Sequence, residues 1–338
     1  MSQSLMVEEA LQTPERIATQ LSENKDRVKT IVAGIKAFAP KSVMIIGRGS
    51  SDHAGVYAKY LIETELGLPV SAAAPSVSTL FGKTLKLENT LVICISQSGR
   101  SPDILHQVEQ AKKTGAFCLA LVNDETSPLA ELANEVLPLQ AGPEKAVAAT
   151  KSFLCTLSAI ASLVATWSGS KDLLAGLENL PKQLQHVTTQ APQLTFDALK
   201  HVQHCVVLGR GFGYAISREL ALKLKEVCGI HAESFSSAEF LHGPITLVAK
   251  KLMLVDVEID DETLINHKKQ VADVISRGGV VVTLKVDNDN STEGDKIHKR
   301  LAPLAIMLRF YLDIEQVAQQ MGLNPDEPVG LNKVTQTL

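Results

Sequence analysis

The chain has 338 residues, which is enough for about two domains with buried cores. A formal net charge of −4 and an aromatic content of 4% disfavour a basic nucleic-acid surface and an aromatic stacking platform. No signal peptide is expected, because no basic flank precedes an apolar core at the N-terminus. The sequence therefore indicates a cytoplasmic globular protein that contacts neither nucleic acid nor membrane.

The first part of the chain predicts helices followed by a buried strand. Residues 1–40 have the spacing of two helices, and Thr13 followed by Pro14 marks a helix start. Residues 43–46 then form an apolar strand, and the glycine-rich stretch 47–51 leads into a helix that ends at Gly67. A second strand is expected near residues 70–74.

The stretch Leu91–Gly115 predicts a buried strand, a polar loop and an amphipathic helix. The loop contains Ser96, Gln97, Ser98, Gly99 and Ser101 directly before Pro102, a residue suited to the first turn of a helix. Unpaired N–H groups at a helix start, together with hydroxyls, suit a dianionic phosphate. The alternative is an ordinary linker in which Ser101 only caps the helix. Because the loop has neither a Walker lysine nor GxGxxG, a single phosphate on a small molecule fits better than a nucleotide.

The next stretches add a strand, a loop and a buried helix. Residues 116–122 read as a strand, and the loop 144–152 leads into the apolar stretch 153–167, which is too short to cross a bilayer. The cysteines lie in mostly apolar surroundings without a CxxC motif, so reduced core residues are expected and not a disulfide or metal framework. They are Cys94, Cys118, Cys155, Cys205 and Cys228.

The pattern then restarts, which reveals an internal repeat. The segment from Cys205 aligns without a gap with the segment from Val43, and their glycines share a shift of 162 residues (209 − 47, 211 − 49 and 229 − 67). Two copies of one unit are therefore predicted, each an α/β flavodoxin-like fold with a doubly wound parallel sheet. Ligands bind such sheets outside the carboxyl ends of the strands, where Ser51 and the loop 96–101 can converge.

The two copies differ at the positions that carry chemistry. Where copy one has the serine loop, copy two has the acidic stretch 258–263, which would repel a phosphate. Copy two instead places Glu219, Lys223 and Glu226 on one helical face. The alternative for these three residues is an exposed stripe of ion pairs.

Two further residues suggest sugar chemistry. His242 precedes a Gly-Pro turn, and a histidine acid with a carboxylate base suits aldose–ketose isomerisation of a phosphate-anchored sugar. Lys333, near the C-terminus, is either a mobile cation over the site or part of a solvated tail.

Four stretches carry a family resemblance: SQSGRS at 96–101, EKAVAATKSF at 144–153, residues 221–245, and LNK at 331–333. Over roughly residues 8–338 the chain resembles the tandem form of the sugar isomerase (SIS) family, and within it the isomerase half of the glucosamine-6-phosphate synthases. The predicted domains are N-terminal helices at 1–35, an SIS domain at 36–180, a second SIS domain at 190–323, and a tail over the active site at 324–338.

The resemblance implies a role for each matching residue. In such proteins the phosphate is held by residues that match Ser51, Ser96, Gln97, Ser98 and Ser101. Glu226 matches the base that moves a proton between C1 and C2, and His242 matches a ring-opening residue that enters the neighbouring subunit's site in a homodimer. Lys223 and Glu219 match helix residues at the sugar, and Lys333 matches a lysine that contacts the open-chain sugar or forms an imine with it. The catalytic set is thus expected to be Glu226, His242, Lys333 and Lys223.

The sugar-lining positions match Val147 and Ala149, with an alanine at the latter where the family usually has serine, and Arg100 stands where an acidic residue is more usual. Because the repeat begins within about 40 residues, the glutaminase domain of the synthases is expected to be absent. The chain then resembles the deaminase branch of the family, in which glucosamine 6-phosphate and water give fructose 6-phosphate and ammonia.

Three alternatives to this deaminase stay open. The alanine at 149 keeps a fructosamine-6-phosphate deglycase possible, and a galactosamine-6-phosphate deaminase would differ only in one sugar epimer. A non-catalytic sugar-phosphate sensor is the alternative from another class, although such regulators usually carry a helix-turn-helix domain. The sequence contains no metal-ligand cluster and no organic-cofactor fingerprint, so no cofactor is expected.

Overall fold

The computed structural model describes residues 3–250, 252–286, 296–331 and 333. Contacts divide the chain into two compact units. The first unit consists of Glu15–Glu144 and Lys151–Glu178, and the second contains Lys145–Thr150 together with the described parts of Met1–Pro14 and Asn179–Lys333. The domain boundaries expected from the sequence stay predictions.

The described N-terminal residues form three helices, not the two that their spacing suggested. They are α1 (Leu5–Leu11), α2 (Thr13–Glu23) and α3 (Lys25–Phe38). The break after α1 follows from Pro14, which has no N–H to continue a helical ladder and suits a first turn instead. The predicted helix start at Thr13 is therefore confirmed.

The first unit contains a five-stranded parallel sheet in the order β2-β1-β3-β4-β5. In chain order its further elements are β1 (Ser42–Ile46), α4 (Ser50–Leu66), β2 (Val70–Ala72), α5 (Pro75–Thr79), β3 (Thr90–Ser96), α6 (Pro102–Lys113), β4 (Phe117–Val122), α7 (Pro128–Leu132), β5 (Glu135–Pro138) and α8 (Lys151–Ser168). This is the flavodoxin strand order, so the predicted fold class is confirmed.

Burial explains why the central elements of the first unit form where they do. Every residue of β3 is buried, as expected for a continuous apolar run in the middle of a parallel sheet. The apolar stretch 153–167 forms most of α8, which packs against α3 and α4. The expected buried helix is confirmed.

The second unit has a four-stranded parallel sheet in the order β7-β6-β8-β9. Its elements beyond Asn179 are α10 (Phe196–Leu199), β6 (His204–Gly209), α11 (Phe212–Cys228), β7 (His231–Ser236), α12 (Ser237–Phe240), a 3₁₀ helix (Pro244–Lys250), β8 (Met253–Glu258), α13 (Leu264–Ser276), β9 (Val280–Lys285) and α14 (Ala302–Gln320), while α9 (Lys171–Val187) precedes them. The largely buried α14 packs against both α1 and α11.

The repeat predicted from the glycines is confirmed in the backbone. Helices α4 and α11 begin 162 residues apart (212 − 50). The residue before each has nearly the same conformation, with φ 53° and ψ −128° at Gly49 and φ 54° and ψ −124° at Gly211. A side chain is disfavoured at this positive φ, so the same turn needs glycine in both copies.

The five cysteines are buried and free, as expected of core residues. Burial raises the pKa of Cys118 to about 11 and those of Cys205 and Cys228 to about 12, so these thiols stay protonated at neutral pH. Among the described residues, no helix is both long and apolar enough to cross a membrane.

Candidate active site

The serine loop of the first unit is a tight turn between β3 and α6. Gly99 has φ +65°, and its N–H donates to Ser96 Oγ at 3.1 Å while its carbonyl accepts from the N–H of Leu129 at 3.1 Å. A Cβ at Gly99 would lie 2.2 Å from Ser127 Oγ. Glycine is therefore required at this position, and the loop has a defined shape before any ligand arrives.

The last serine of this loop does not use its hydroxyl to cap the helix that follows. Ser101 occupies the N-cap position of α6, but its side chain makes no capping hydrogen bond. Ser98 and Ser101 are both partly buried. Ser101 therefore occupies the N-cap position without a side-chain cap, so its hydroxyl is not engaged by the start of α6.

The other predicted phosphate residues lie at the same edge of the first sheet. Ser51 is in the first turn of α4, which follows β1, and Gln97 directly follows β3. Because β1 and β3 are paired and parallel, their carboxyl ends and the starts of α4 and α6 lie at one edge. Two helix N-termini with hydroxyls make this edge suitable for an anion.

An ion pair that was not predicted borders this edge. The buried carboxylate of Asp103, in the first turn of α6, accepts hydrogen bonds from Arg48 Nε at 2.8 Å, and Arg48 Nη2 lies 2.7 Å from the same oxygen. A lone carboxylate there would repel a phosphate, so Arg48 offsets its charge. Arg48 was visible in the glycine-rich stretch, but its partner is 55 residues away.

Arg100, the residue that departs from the family pattern, faces Asp124 at 2.8 Å on the surface. Hydrogen bonds from the Thr126 side chain and then from Arg100 lower the pKa of Asp124 to about 2. The positive charge of Arg100 is thus paired outside the serine loop.

Helix α11 of the second unit carries a cluster of three charged side chains. Lys223 Nζ lies 2.5 Å from Glu226 Oε2 and 3.2 Å from Glu219 Oε1. The side chains of Lys223 and Glu219 are 1% and 0% exposed, while that of Glu226 is 18% exposed. The alternative of an exposed ion-pair stripe is therefore wrong, because this helical face points inward.

The electrostatics of this cluster keep Lys223 charged. Burial lowers the pKa of Lys223, but the two carboxylates together outweigh burial, and the pKa lies above its ordinary value. This ammonium donates a hydrogen bond to Glu226, the member of the cluster that solvent can reach. A partly exposed carboxylate that a lysine hydrogen bond orients can act as a general base.

The segment 145–150 belongs to the second unit and has an alternating pattern of burial. Ala146, Ala148 and Thr150 are buried, whereas Val147 and Ala149 are partly exposed. The two predicted sugar-lining side chains therefore share the side that faces away from the core. Lys333 Nζ donates to the carbonyl of Ala146, so this part of the tail lies on the segment. The rest of the predicted tail, at 332 and 334–338, lies outside the described residues.

His242 is exposed in the turn between α12 and the 3₁₀ helix, where its N–H donates to the carbonyl of Glu239 at 3.0 Å. No hydrogen bond or ion pair joins its ring to the α11 cluster within the described residues. Its role across a subunit interface stays a prediction.

The predicted site residues thus fall into two sets. The phosphate set, Ser51, Ser96, Gln97, Ser98 and Ser101, belongs to the first unit. The sugar and catalytic set, Val147, Ala149, Glu219, Lys223, Glu226, His242 and Lys333, belongs to the second unit. Their roles stay predictions. No group of three or more metal-ligating side chains occurs in the part of the chain that the structure describes.

Two parallel sheets of this order, with a serine loop on one and a buried acid–lysine cluster on the other, define a protein of the tandem sugar isomerase class. The SIS domain family matches residues 38–166 and 198–295, and the chain belongs to that family.

Sequence comparison shows which individual proteins of the family the chain is similar to. The chain is 32% identical over 322 residues to glutamine–fructose-6-phosphate aminotransferase [isomerizing] of Acinetobacter baylyi, a match that covers 87% of this chain and 52% of the relative. It therefore spans about half the length of the curated relatives that it matches.

Two solved structures are similar over nearly their full length. A proposed phosphosugar isomerase from Silicibacter pomeroyi DSS-3 has a TM-score of 0.87 and 33% identity, over 96% of this chain and 100% of that one. The C-terminal domain of glucosamine-fructose-6-phosphate aminotransferase from Francisella tularensis has a TM-score of 0.82 and 27% identity, over 97% and 99%.

Proposed function

We propose that the chain is an aminosugar-phosphate deaminase that converts glucosamine 6-phosphate and water to fructose 6-phosphate and ammonia. The observation that carries this proposal is the buried cluster on α11, in which Lys223 donates a hydrogen bond to Glu226, the carboxylate of the cluster that solvent can reach. The likeness to the aminotransferase domain supports aminosugar chemistry, because that protein's name joins fructose 6-phosphate to amino transfer.

In the proposed mechanism the phosphate is bound before chemistry begins. Ser51, Ser96, Ser98 and Ser101 bind its oxygens, assisted by Gln97 and by backbone N–H groups at the helix starts. The free hydroxyl of Ser101 supports this role. Arg48 keeps the nearby Asp103 from opposing the bound dianion.

The chemical steps then move one proton and release one amine. His242, supplied by the neighbouring subunit of a homodimer, opens the pyranose ring as a general acid–base. Glu226 removes the proton from C2 of the open-chain aldehyde and returns it at C1, which converts the 2-amino aldose into a C2 imine. Water adds to the imine carbon and ammonia leaves, giving the ketose. Lys333, which lies on the segment of Val147, contacts the open-chain sugar.

The decisive experiment measures ammonia and fructose 6-phosphate with glucosamine 6-phosphate as the sole substrate. Equal amounts of both products are expected, and none from Glu226→Gln, which should still bind inorganic phosphate with the affinity of the parent protein. Glu233→Gln, an exposed carboxylate of β7, is the matched control and should keep full activity. Full activity in Glu226→Gln would contradict the mechanism.

A fructosamine-6-phosphate deglycase is the second candidate. It is favoured by Ala149, whose small, outward-facing side chain makes no hydroxyl contact with the sugar and leaves room for a substituent on nitrogen. Fructosamine 6-phosphate and galactosamine 6-phosphate therefore belong in the same assay. Binding of all three compounds without turnover would instead favour a sensor.

The proposed role of His242 has its own test. Inactive His242→Ala and Glu226→Gln proteins are mixed under conditions in which subunit exchange is demonstrated. If His242 acts across the interface, hybrid dimers contain one intact site and recover about a quarter to half of the parent activity. No recovery despite exchange would rule out a shared site.

A further inference from the structure

Helix α1 is held at its N-terminal end by other residues of the second unit. The Asp326 carboxylate accepts the N–H groups of Leu5 at 2.9 Å and Met6 at 2.8 Å, which satisfies two unpaired donors of the helix start. Ser4 Oγ donates to Glu315 of α14 at 2.5 Å. These three hydrogen bonds fix the N-terminal end of the helix.

Glu9, further along α1, is a buried carboxylate directed at the segment 145–150. It is 5% exposed. Its Oε1 accepts from the N–H of Lys145 at 2.5 Å, and its Oε2 accepts from the N–H of Ala146 at 3.2 Å. The next N–H, that of Val147, donates to the carbonyl of Asp326 at 3.0 Å.

The segment 145–150 is neither helix nor strand, and its first three N–H groups all have acceptors. Two donate to Glu9 of α1, and the third donates to Asp326, whose carboxylate also accepts the first N–H groups of α1. Buried backbone N–H groups require such partners, and hydrogen bonds to a carboxylate are stronger than those between neutral groups. Fixing these N–H directions also fixes which side chains face inward. Ala146 and Ala148 are buried as a result, and Val147 and Ala149 face outward.

We infer that Glu9 is a positioning residue that sets the orientation of the sugar-contact segment 145–150 through its two hydrogen bonds to Lys145 and Ala146. The inference rests on the proposed function, in which Val147 and Ala149 line the sugar. Both of these Glu9 hydrogen bonds go to the segment's backbone, and through Ala146 Glu9 also orders the carbonyl on which Lys333 docks. The N-terminal helix is thereby part of the substrate-binding apparatus.

The test compares Glu9→Gln with Glu8→Gln. Glu8 is an exposed neighbour on the same helix, so the control makes the same chemical change where no segment is held. In Glu9→Gln, the amide NH₂ faces a backbone N–H and one hydrogen bond is lost. Amide exchange of a peptide covering 145–150 should become at least about tenfold faster, because a lost hydrogen bond lowers the local opening free energy.

Kinetics give the second readout. With glucosamine 6-phosphate, kcat/KM of Glu9→Gln should fall by about 10- to 100-fold, mainly through KM, because small misplacements of contact groups have effects of this size. Inhibition by inorganic phosphate should stay within about twofold of the parent value, since the serine loop belongs to the other unit. Glu9→Asp, which keeps the charge but has a shorter reach, should lie between Glu9→Gln and the parent protein in both exchange and KM.

Three outcomes overturn the inference: equal exchange in Glu9→Gln and Glu8→Gln, faster exchange with an unchanged KM, or a parallel loss of phosphate inhibition that indicates general disruption. If Glu9→Gln does not fold, Glu9→Asp carries the comparison under the same criteria. If the parent protein turns over no aminosugar phosphate, the proposed function fails, while the exchange measurement still decides whether Glu9 holds the segment.

Discussion

Replacing Lys223 with methionine should reveal how far the α11 cluster depends on its central cation. The side chain is fully enclosed, and methionine fills a similar volume without charge. The change leaves Glu219, which is 0% exposed, and Glu226 without their shared cation. A buried carboxylate that loses a neighbouring cation keeps its desolvation cost with less attraction to offset it.

The distances set the size of the effect. At an effective dielectric constant of about 20, the attraction across 3.2 Å to Glu219 is about 5 kcal/mol and that across 2.5 Å to Glu226 about 7 kcal/mol. The desolvation cost of several kcal/mol for each ion offsets most of this attraction. When Lys223 is removed, the two carboxylates keep their desolvation cost but lose its attraction. Lys223→Met should therefore lower the free energy of unfolding by about 3–5 kcal/mol.

The assay is urea denaturation at pH 7.5 and again at pH 5.5, with Lys225→Met as the control. Lys225 is exposed on the same helix, and its replacement should cost about 1 kcal/mol or less. The deficit of Lys223→Met should shrink at pH 5.5, because a lower pH favours the neutral form of a buried carboxylate that has lost a cation. The double variant Lys223→Met with Glu219→Gln should recover part of the loss. A deficit equal to that of the control at pH 7.5 would refute the reasoning.

Further predictions concern the serine loop, the five thiols and the stability of the protein at low pH. Gly99→Ala should weaken inhibition by inorganic phosphate by about tenfold or more, since alanine at φ +65° is strained and collides with Ser127; unchanged inhibition would contradict a role for this loop. The five thiols should resist Ellman's reagent in the native protein and all react in guanidinium, because burial raises the pKa of those such as Cys118 and limits access. Hydrogen bonds from Arg300 and then Lys299 lower the pKa of Glu262 to about 2, so its stabilising contribution is complete above about pH 4.5 and disappears as the pH falls towards 2. Glu262→Gln should therefore be less stable than the parent at pH 6 by about 1 kcal/mol or less, with the difference vanishing near pH 2 in thermal unfolding scans; a difference that persists at pH 2 would contradict this origin.

Local patterns were sufficient for much of the fold. The apolar run at 91–95 predicted β3 because a strand buried on both faces needs no alternation. The equal spacing of Gly49 and Gly211 predicted the repeat because both positions require the same unusual φ. The strand β5 was missed, since its four residues include Glu135 and Pro138 and give no apolar run.

The parts of the candidate site that escaped prediction depend on contacts between distant residues. Helical spacing placed Glu219 and Glu226 on one face but could not tell whether that face pointed inward. The pairing of Arg48 with Asp103 spans 55 residues, and that of Glu9 with Lys145 spans 136. Such pairs follow from tertiary packing, which a single sequence does not specify.

The duplicated glycine turn has a practical consequence for experiments. Because the chain passes through Gly49 and Gly211 with almost the same angles, residues at this turn in one repeat have counterparts on a similar backbone in the other, with different surroundings. Serine hydroxyls occur after β3, and acidic side chains occupy the corresponding place after β8. The turn in the second repeat can therefore serve as an internal control for the turn in the first. A substitution and its counterpart 162 or 163 residues later can separate what the turn contributes to folding from what the side chains contribute to binding.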